Sequence, residues 1–144
     1  MKFILFLLLL ASLLAAGSSQ ELVFRIKHAS SKKYWATDNL SRLVSLKDTG
    51  TKWLLTRSTD GKAFYISPYD SSESSLLSLT YNGDGKTLTL EGDVTPQSRQ
   101  EWKFNNLPGS LVTIQSVDRT SQFVNGKNSL VSDTFNQPWV FEQA

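Results

Sequence analysis

Beyond residue 20, hydrophobic residues occur in short runs or alternate with polar residues, and turn-forming residues separate one run from the next. No segment of this part carries apolar residues at helical spacing over three turns, so the pattern predicts an all-β chain. Pairs such as Asp60-Gly61, Asn82-Gly83 and Asn125-Gly126 tolerate the positive φ of tight hairpins. Twelve strands are predicted, at residues 22–27, 34–37, 43–47, 52–57, 63–67, 76–81, 86–91, 101–105, 111–116, 122–125, 129–132 and 139–142.

The predicted strands form three repeats of four. Each repeat begins with a strand of the form hydrophobic-x-Ile and ends with Trp, any residue and a large apolar residue. Trp53, Trp102 and Trp139 mark the three fourth strands, at intervals of 49 and 37 residues, and the mean of 43 is close to one third of the segment 20–144. Three such units in the same order are the sequence pattern of a β-trefoil. We therefore expect a monomer with a six-stranded barrel, capped by hairpins centred on residues 38–42, 82–86 and 125–128.

The tryptophans of the three repeats are expected in the core, because large aromatic side chains supply much of the apolar area that stabilises a barrel. Trp35, the fourth tryptophan, aligns with Leu79 and Phe123 of the other repeats, so we expect it in the core as well. A tryptophan exposed at the surface would instead favour stacking on a sugar ring.

The N-terminal segment has a different pattern. Lys2 precedes an unbroken apolar run at residues 3–10, and small residues follow at 15–19. This arrangement predicts a secretory signal peptide at residues 1–19, because the run is too short to anchor the chain across a bilayer. We expect a single secreted domain at residues 20–144. Asn39 begins the only Asn-x-Ser/Thr sequon and is the expected glycosylation site.

Composition argues against several functional classes. The sequence has no cysteine and one histidine, His28, which excludes disulfides, thiolate metal ligands, a cysteine nucleophile and a multi-histidine metal site. Little remains for a Ser-His-Asp triad. The formal net charge of +2 is small for a nucleic-acid binder. The counts predict a protein that is not an enzyme, with no metal, no cofactor and no nucleic-acid partner.

The fourth strands of the repeats carry a further motif. Gln100-Glu101-Trp102 and Gln137-Pro138-Trp139 have the form Gln-x-Trp, whereas Thr51-Lys52-Trp53 replaces the glutamine with threonine. With this motif the sequence resembles the ricin B-type β-trefoil lectins, and in particular small cysteine-free fungal lectins, over essentially all of residues 20–144. The resemblance implies carbohydrate binding without catalysis.

The resemblance also implies the parts of a galactose-type pocket: an Asp at the end of the second strand, an aromatic platform near the third strand, and an Asn directly before Gln-x-Trp. The first repeat has Asp38, but Gly50 stands at the Asn position. The second repeat has Asn82 in place of the Asp, and Arg99 precedes its glutamine. No repeat is complete, so the pattern favours either a rearranged pocket or no sugar site, and it does not support galactose specificity.

The third repeat is the preferred position for a sugar site. Asn136 matches the Asn before Gln-x-Trp, while Asn125-Gly126 occupies the Asp region. Asn125 and Asn128 lie on the adjacent predicted hairpin, and amide side chains both donate and accept hydrogen bonds. Together with Asn136 and Gln137, these two residues predict a weak, calcium-independent site for a neutral sugar. The remaining candidate residues are Tyr81 and Asn82 in the second repeat, which ranks next, and Asp38 in the first.

Two other functional classes remain open. Several trefoil families inhibit proteases through an exposed loop, and residues 57–61 are a candidate loop in which Arg57 would enter a trypsin-like pocket. A plain solvated turn is the simpler interpretation of that segment. The third class is a trefoil that binds another protein through its surface. Titration with trypsin and papain separates the inhibitor from the lectin.

Overall fold

The computed structural model describes residues 22–38, 41–69, 77–106 and 110–144. The expected signal peptide and Asn39 lie outside these residues. Within them the chain forms twelve strands and a short 3-10 helix at Gln97–Gln100, and the predicted strands are confirmed in number and order. The strands are β1 Leu22–His28, β2 Tyr34–Ala36, β3 Ser45–Lys47, β4 Trp53–Arg57, β5 Phe64–Pro68, β6 Ser78–Thr80, β7 Thr89–Glu91, β8 Trp102–Asn105, β9 Val112–Ser116, β10 Phe123–Gly126, β11 Leu130–Asp133 and β12 Pro138–Gln143.

Six of these strands form a closed barrel. The antiparallel pairing runs from β1 to β4, β5, β8, β9 and β12, and β12 pairs again with β1. Closure leaves none of the six with an unpaired edge. Pro138 begins β12, a position where a strand accepts proline because the first residue can do without a ladder hydrogen bond.

The other six strands pair as three hairpins, β2–β3, β6–β7 and β10–β11. One fully buried residue from each hairpin region lies at their junction: Val44, Leu88 and Leu130. The Leu130 amide donates to the Val44 carbonyl at 2.8 Å, and the Leu88 amide donates to the Leu130 carbonyl at 2.9 Å. A closed six-stranded barrel with three joined hairpins is a β-trefoil-like fold, as the repeat predicts.

All four tryptophans are fully buried, which confirms that they belong to the core. The repeat tryptophans make equivalent hydrogen bonds. Trp53 Nε1 donates to the carbonyl of residue 35 at 3.3 Å, Trp102 Nε1 to that of residue 79 at 3.0 Å, and Trp139 Nε1 to that of residue 124 at 3.0 Å. Each indole therefore ties the fourth strand of its repeat to the second.

These bonds also correct the alignment of the second strands. They make Trp35, Leu79 and Val124 equivalent, so the expected match with Phe123 is wrong by one residue. Phe123 has the larger apolar side chain but is only half-buried, whereas Val124 is fully buried. Successive residues of a strand face opposite sides of the sheet, and here the smaller residue, Val124, faces the core.

Glu142 joins three strands at the surface of the barrel. Its carboxylate accepts hydrogen bonds from Lys27 Nζ at 2.9 Å and Tyr34 Oη at 2.6 Å. Burial alone would raise the pKa of Glu142, but these hydrogen bonds favour the ionised form and hold the pKa below its ordinary value.

Candidate functional site

The third repeat exposes an aromatic side chain that the sequence analysis did not single out. Phe135 lies in the loop between β11 and β12, and 62% of its surface is exposed. Two hydrogen bonds fix its backbone. The Phe135 carbonyl accepts one from Asn125 Nδ2 at 2.6 Å and one from the backbone N–H of Gln137 at 3.0 Å. A fixed backbone therefore carries a phenyl ring in solvent. The sequence signal that could have identified Phe135 is a single aromatic residue flanked by polar residues, outside any predicted strand.

Asn125 and Gln137, two of the predicted sugar-binding residues, hold this loop in place. Asn125 is buried, and its amide nitrogen donates to the carbonyls of Phe123 and Phe135. Gln137 Oε1 accepts a hydrogen bond of 2.5 Å from the Gly126 amide. Asn125 is thus buried and Gln137 half-buried, and both side chains are already used within the protein because the loop needs partners for its own polar groups.

Gln137, the glutamine of the third-repeat Gln-x-Trp, has a structural role that also explains the threonine of the first repeat. There Thr51 Oγ1 accepts a hydrogen bond of 3.1 Å from the Thr37 amide, as Gln137 does from Gly126. Gln137 Nε2 also lies against Nε2 of His28. Burial lowers the pKa of His28, which favours the neutral imidazole.

Asn128 and Asn136 are the predicted site residues that the third repeat leaves exposed. Asn128 lies in the turn of the β10–β11 hairpin, and Asn136 follows Phe135 in the adjoining loop. The indole hydrogen bonds make Lys127 the counterpart of Asp38 and Asn82, so the expected alignment of Asn125-Gly126 with the Asp position is wrong. We define the third-repeat surface as Asn128, Phe135 and Asn136.

The second repeat uses its polar groups within its own hairpin. Asn82 Nδ2 donates to the Thr87 carbonyl at 3.0 Å and to Thr89 Oγ1 at 2.7 Å, and its Oδ1 accepts from Arg99 Nη2 at 3.1 Å. Arg99, which stands before Gln-x-Trp, therefore fills the position where a ligand would meet Asn82. The candidate site of this repeat is occupied by the protein itself.

Tyr81, the other candidate of the second repeat, is buried. Its hydroxyl donates to the Asp84 carboxylate. Burial, together with this hydrogen bond, raises the pKa of Tyr81 to about 12, so the phenol is neutral at physiological pH. Its ring and its hydroxyl are both committed to the hairpin, and neither forms an exposed platform.

The first repeat keeps an exposed carboxylate, Asp38, but a glycine stands before its Thr51-Lys52-Trp53 segment. Asp38 accepts a hydrogen bond from the Ser41 amide. At Gly50, the counterpart of Asn136, an added Cβ would lie 2.6 Å from Tyr34 Cβ. The first repeat therefore has no room for the amide that the family pocket requires.

The predicted inhibitor loop is a closed turn. The Ser58 amide donates to the Ala63 carbonyl at 2.9 Å, and Asp60 Oδ1 accepts from Ser58 Oγ at 2.6 Å and from the Lys62 amide at 3.0 Å. Arg57 lies within β4, opposite Phe64 of β5. A turn closed on itself does not present the extended segment that a protease cleft binds, so the geometry does not favour inhibition.

Residues 22–38, 41–69, 77–106 and 110–144 include no cluster of three or more acidic, histidine or cysteine side chains that could hold a metal ion. The same residues form no helix with the length and hydrophobicity needed to cross a membrane.

No protein-family model matches the chain, and no curated protein matches it either. Solved structures do resemble it. The lysenin pore aligns with a TM-score of 0.68 and 19% identity, over 87% of this chain and 48% of that chain. Lysenin in complex with phosphocholine aligns with a TM-score of 0.66 and 21% identity, over 85% of this chain and 44% of that chain. This chain thus spans about half or less of the lysenin chains.

A designed threefold-symmetric protein, ThreeFoil, is similar over almost its entire length. It aligns with a TM-score of 0.63 and 11% identity, over 85% of this chain and 99% of that chain. At these identities the similarity concerns the fold alone, and it supports a β-trefoil-like architecture with threefold repetition.

Proposed function

We propose that the protein is a secreted lectin that binds a neutral glycan, without catalysis, at the third-repeat surface. The observation that carries this proposal is Phe135, an exposed aromatic ring on a loop whose backbone is fixed by Asn125. A loop whose backbone is held in place before the ligand arrives loses little conformational entropy on binding.

The chemistry of the third-repeat surface suits a sugar. The phenyl face of Phe135 offers apolar area for the C–H face of a pyranose ring, and large aromatic side chains contribute much of the energy of such contacts. The side-chain amides of Asn128 and Asn136 both donate and accept, which matches the hydroxyl groups at the edge of a sugar. Neutral amides and a phenyl ring bind without ion pairing, so the affinity should change little with ionic strength.

The differences between repeats support one site rather than three. In the second repeat Arg99 binds Asn82, and in the first repeat Gly50 packs against Tyr34. Only the third repeat combines an asparagine before Gln-x-Trp with an exposed aromatic next to it among the described residues. The proposed stoichiometry is therefore one glycan per chain.

A glycan array followed by calorimetry tests the proposal. Phe135→Ala and Asn136→Ala should each weaken binding of the best array ligand about tenfold, as expected for the loss of a stacking face or a hydrogen bond. Tyr69→Ala is the matched control for an exposed aromatic, and Gln97→Ala is the control for an exposed amide. Absence of binding across a broad array would contradict the lectin function. Full affinity in both site variants would contradict the placement.

A further inference from the structure

A basin of about 300 Å³ opens at the end of the barrel opposite the three hairpins. Its lining includes Arg57, Lys62, Phe64, Lys103, Phe104 and Asn105. These residues come from the end of β4, the β4–β5 turn, the start of β5 and the end of β8. The basin shares no residue with the third-repeat surface.

The floor of the basin is a fixed aromatic pair. The rings of Phe64 and Phe104 are stacked, with centroids 4.8 Å apart and an interplanar angle of 9°. Phe104 also packs edge-on against Phe141 at 5.1 Å. Phe64 is buried and Phe104 half-buried, so the floor belongs to the packed core and exists before any ligand binds.

The rim of the basin is positively charged. Lys62 and Lys103 are exposed, and Arg57 is half-buried in β4. No lining residue that the structure describes is acidic. Asp60 lies in the same turn, but it accepts the hydrogen bonds of Ser58 and Lys62 that close the turn, and the bond from Ser58 is the main cause that lowers its pKa. Two exposed lysines therefore border an apolar floor, together with the half-buried Arg57, which already interacts with other groups of the chain.

We propose that this cationic basin binds a sulfate or phosphate monoester carried on a ring-shaped group such as a sugar. Lysine side chains such as those of Lys62 and Lys103 form charge-assisted hydrogen bonds with tetrahedral oxyanions. The phenyl floor covers the carrier ring. The basin volume of about 300 Å³ is at the lower end of the range for ligand pockets. The basin therefore holds no more of the ligand than one ring and its ester group. The inference goes beyond the proposed lectin function and does not depend on it.

Calorimetric titration of the full mature chain with glucose 6-sulfate, glucose 6-phosphate, inorganic sulfate and glucose tests this inference. We expect both esters to bind more tightly than inorganic sulfate, and glucose to show no binding at the basin. Lys62→Gln combined with Lys103→Gln should weaken ester binding about tenfold, as the loss of two exposed ionic contacts implies. The matched control is Lys47→Gln with Lys52→Gln, which removes the same charge from two other exposed lysines.

The outcomes separate the two proposals. Ester binding that survives Phe135→Ala but weakens about tenfold in the Lys62/Lys103 double variant supports the basin. The tighter ester identifies the source of the anion. Equal weakening in both lysine double variants would show only general charge attraction and would overturn the inference. So would the absence of ester binding, or inorganic sulfate binding as tightly as the esters, because the aromatic floor would then contribute nothing.

Discussion

Replacing Trp139 with phenylalanine isolates the hydrogen bond that links the fourth and second strands of the third repeat. The indole is fully buried, packs edge-on against Trp35 at 5.3 Å, and donates from Nε1 to the Val124 carbonyl at 3.0 Å. The variant loses ring area and leaves that carbonyl without its indole donor. An unpaired buried polar group costs about 1–3 kcal/mol, in addition to the cost of lost packing.

Trp35→Phe is the matched control. Trp35 is equally buried, but its Nε1 has no hydrogen-bond partner in the described part of the chain. The control therefore removes the same ring atoms together with a donor that is already unsatisfied. We expect Trp139→Phe to lower the free energy of unfolding by about 1 kcal/mol or more beyond the change in Trp35→Phe.

Urea unfolding followed by far-ultraviolet circular dichroism measures this difference without relying on tryptophan fluorescence. The slopes of the two transitions should agree, so that the midpoints report stability alone. Trp139→Ala is a harsher variant, expected to cost about 3–5 kcal/mol of a total near 5–15 kcal/mol. If Trp35→Phe proves as destabilising as Trp139→Phe, the indole hydrogen bond does not stabilise the repeat.

Two further predictions concern packing and pH. Gly126→Ala should destabilise the protein by about 1–3 kcal/mol, because the added Cβ would lie 2.8 Å from Leu46 Cδ1. Gly92→Ala is the control: a Cβ added there would have no atom within 4 Å, so the urea midpoint should stay unchanged. Glu142, whose pKa is depressed in the folded state, stabilises the fold above its ordinary pKa of 4.5, and this contribution is lost as the pH falls through the folded value. The midpoints of the wild type and Glu142→Gln should converge as the pH falls below 4.5 and through the lowered pKa of the folded state. A constant gap across the range would contradict this assignment.

The strand order and the threefold repeat could be predicted because each depends on local alternation and on the recurring tryptophans. The sequence pattern was less informative where tertiary packing decides which of two adjacent apolar residues faces the core. Phe123 and Val124 are both apolar, and only the hydrogen bond from Trp139 shows that Val124 faces inward. The correct alignment of the second strands therefore required the three-dimensional structure.

The candidate site was predictable only in part. Asn128 and Asn136 are exposed as expected, but Asn125 and Gln137 hold the loop because its backbone groups need partners. A sequence gives the hydrogen-bonding capacity of an amide but not whether the protein already uses it. Phe135 was missed for a related reason, since an isolated aromatic in a loop resembles a core residue until its exposure is known.

Backbone amide shifts in a ¹H–¹⁵N NMR titration with the best array ligand test the central claim most directly. Glycan binding at the third-repeat surface predicts shifts concentrated at residues 125–128 and 134–137, together with the side-chain amides of Asn128 and Asn136. Shifts concentrated at residues 82–86, around the basin of Lys62 and Lys103, or nowhere in particular would contradict it.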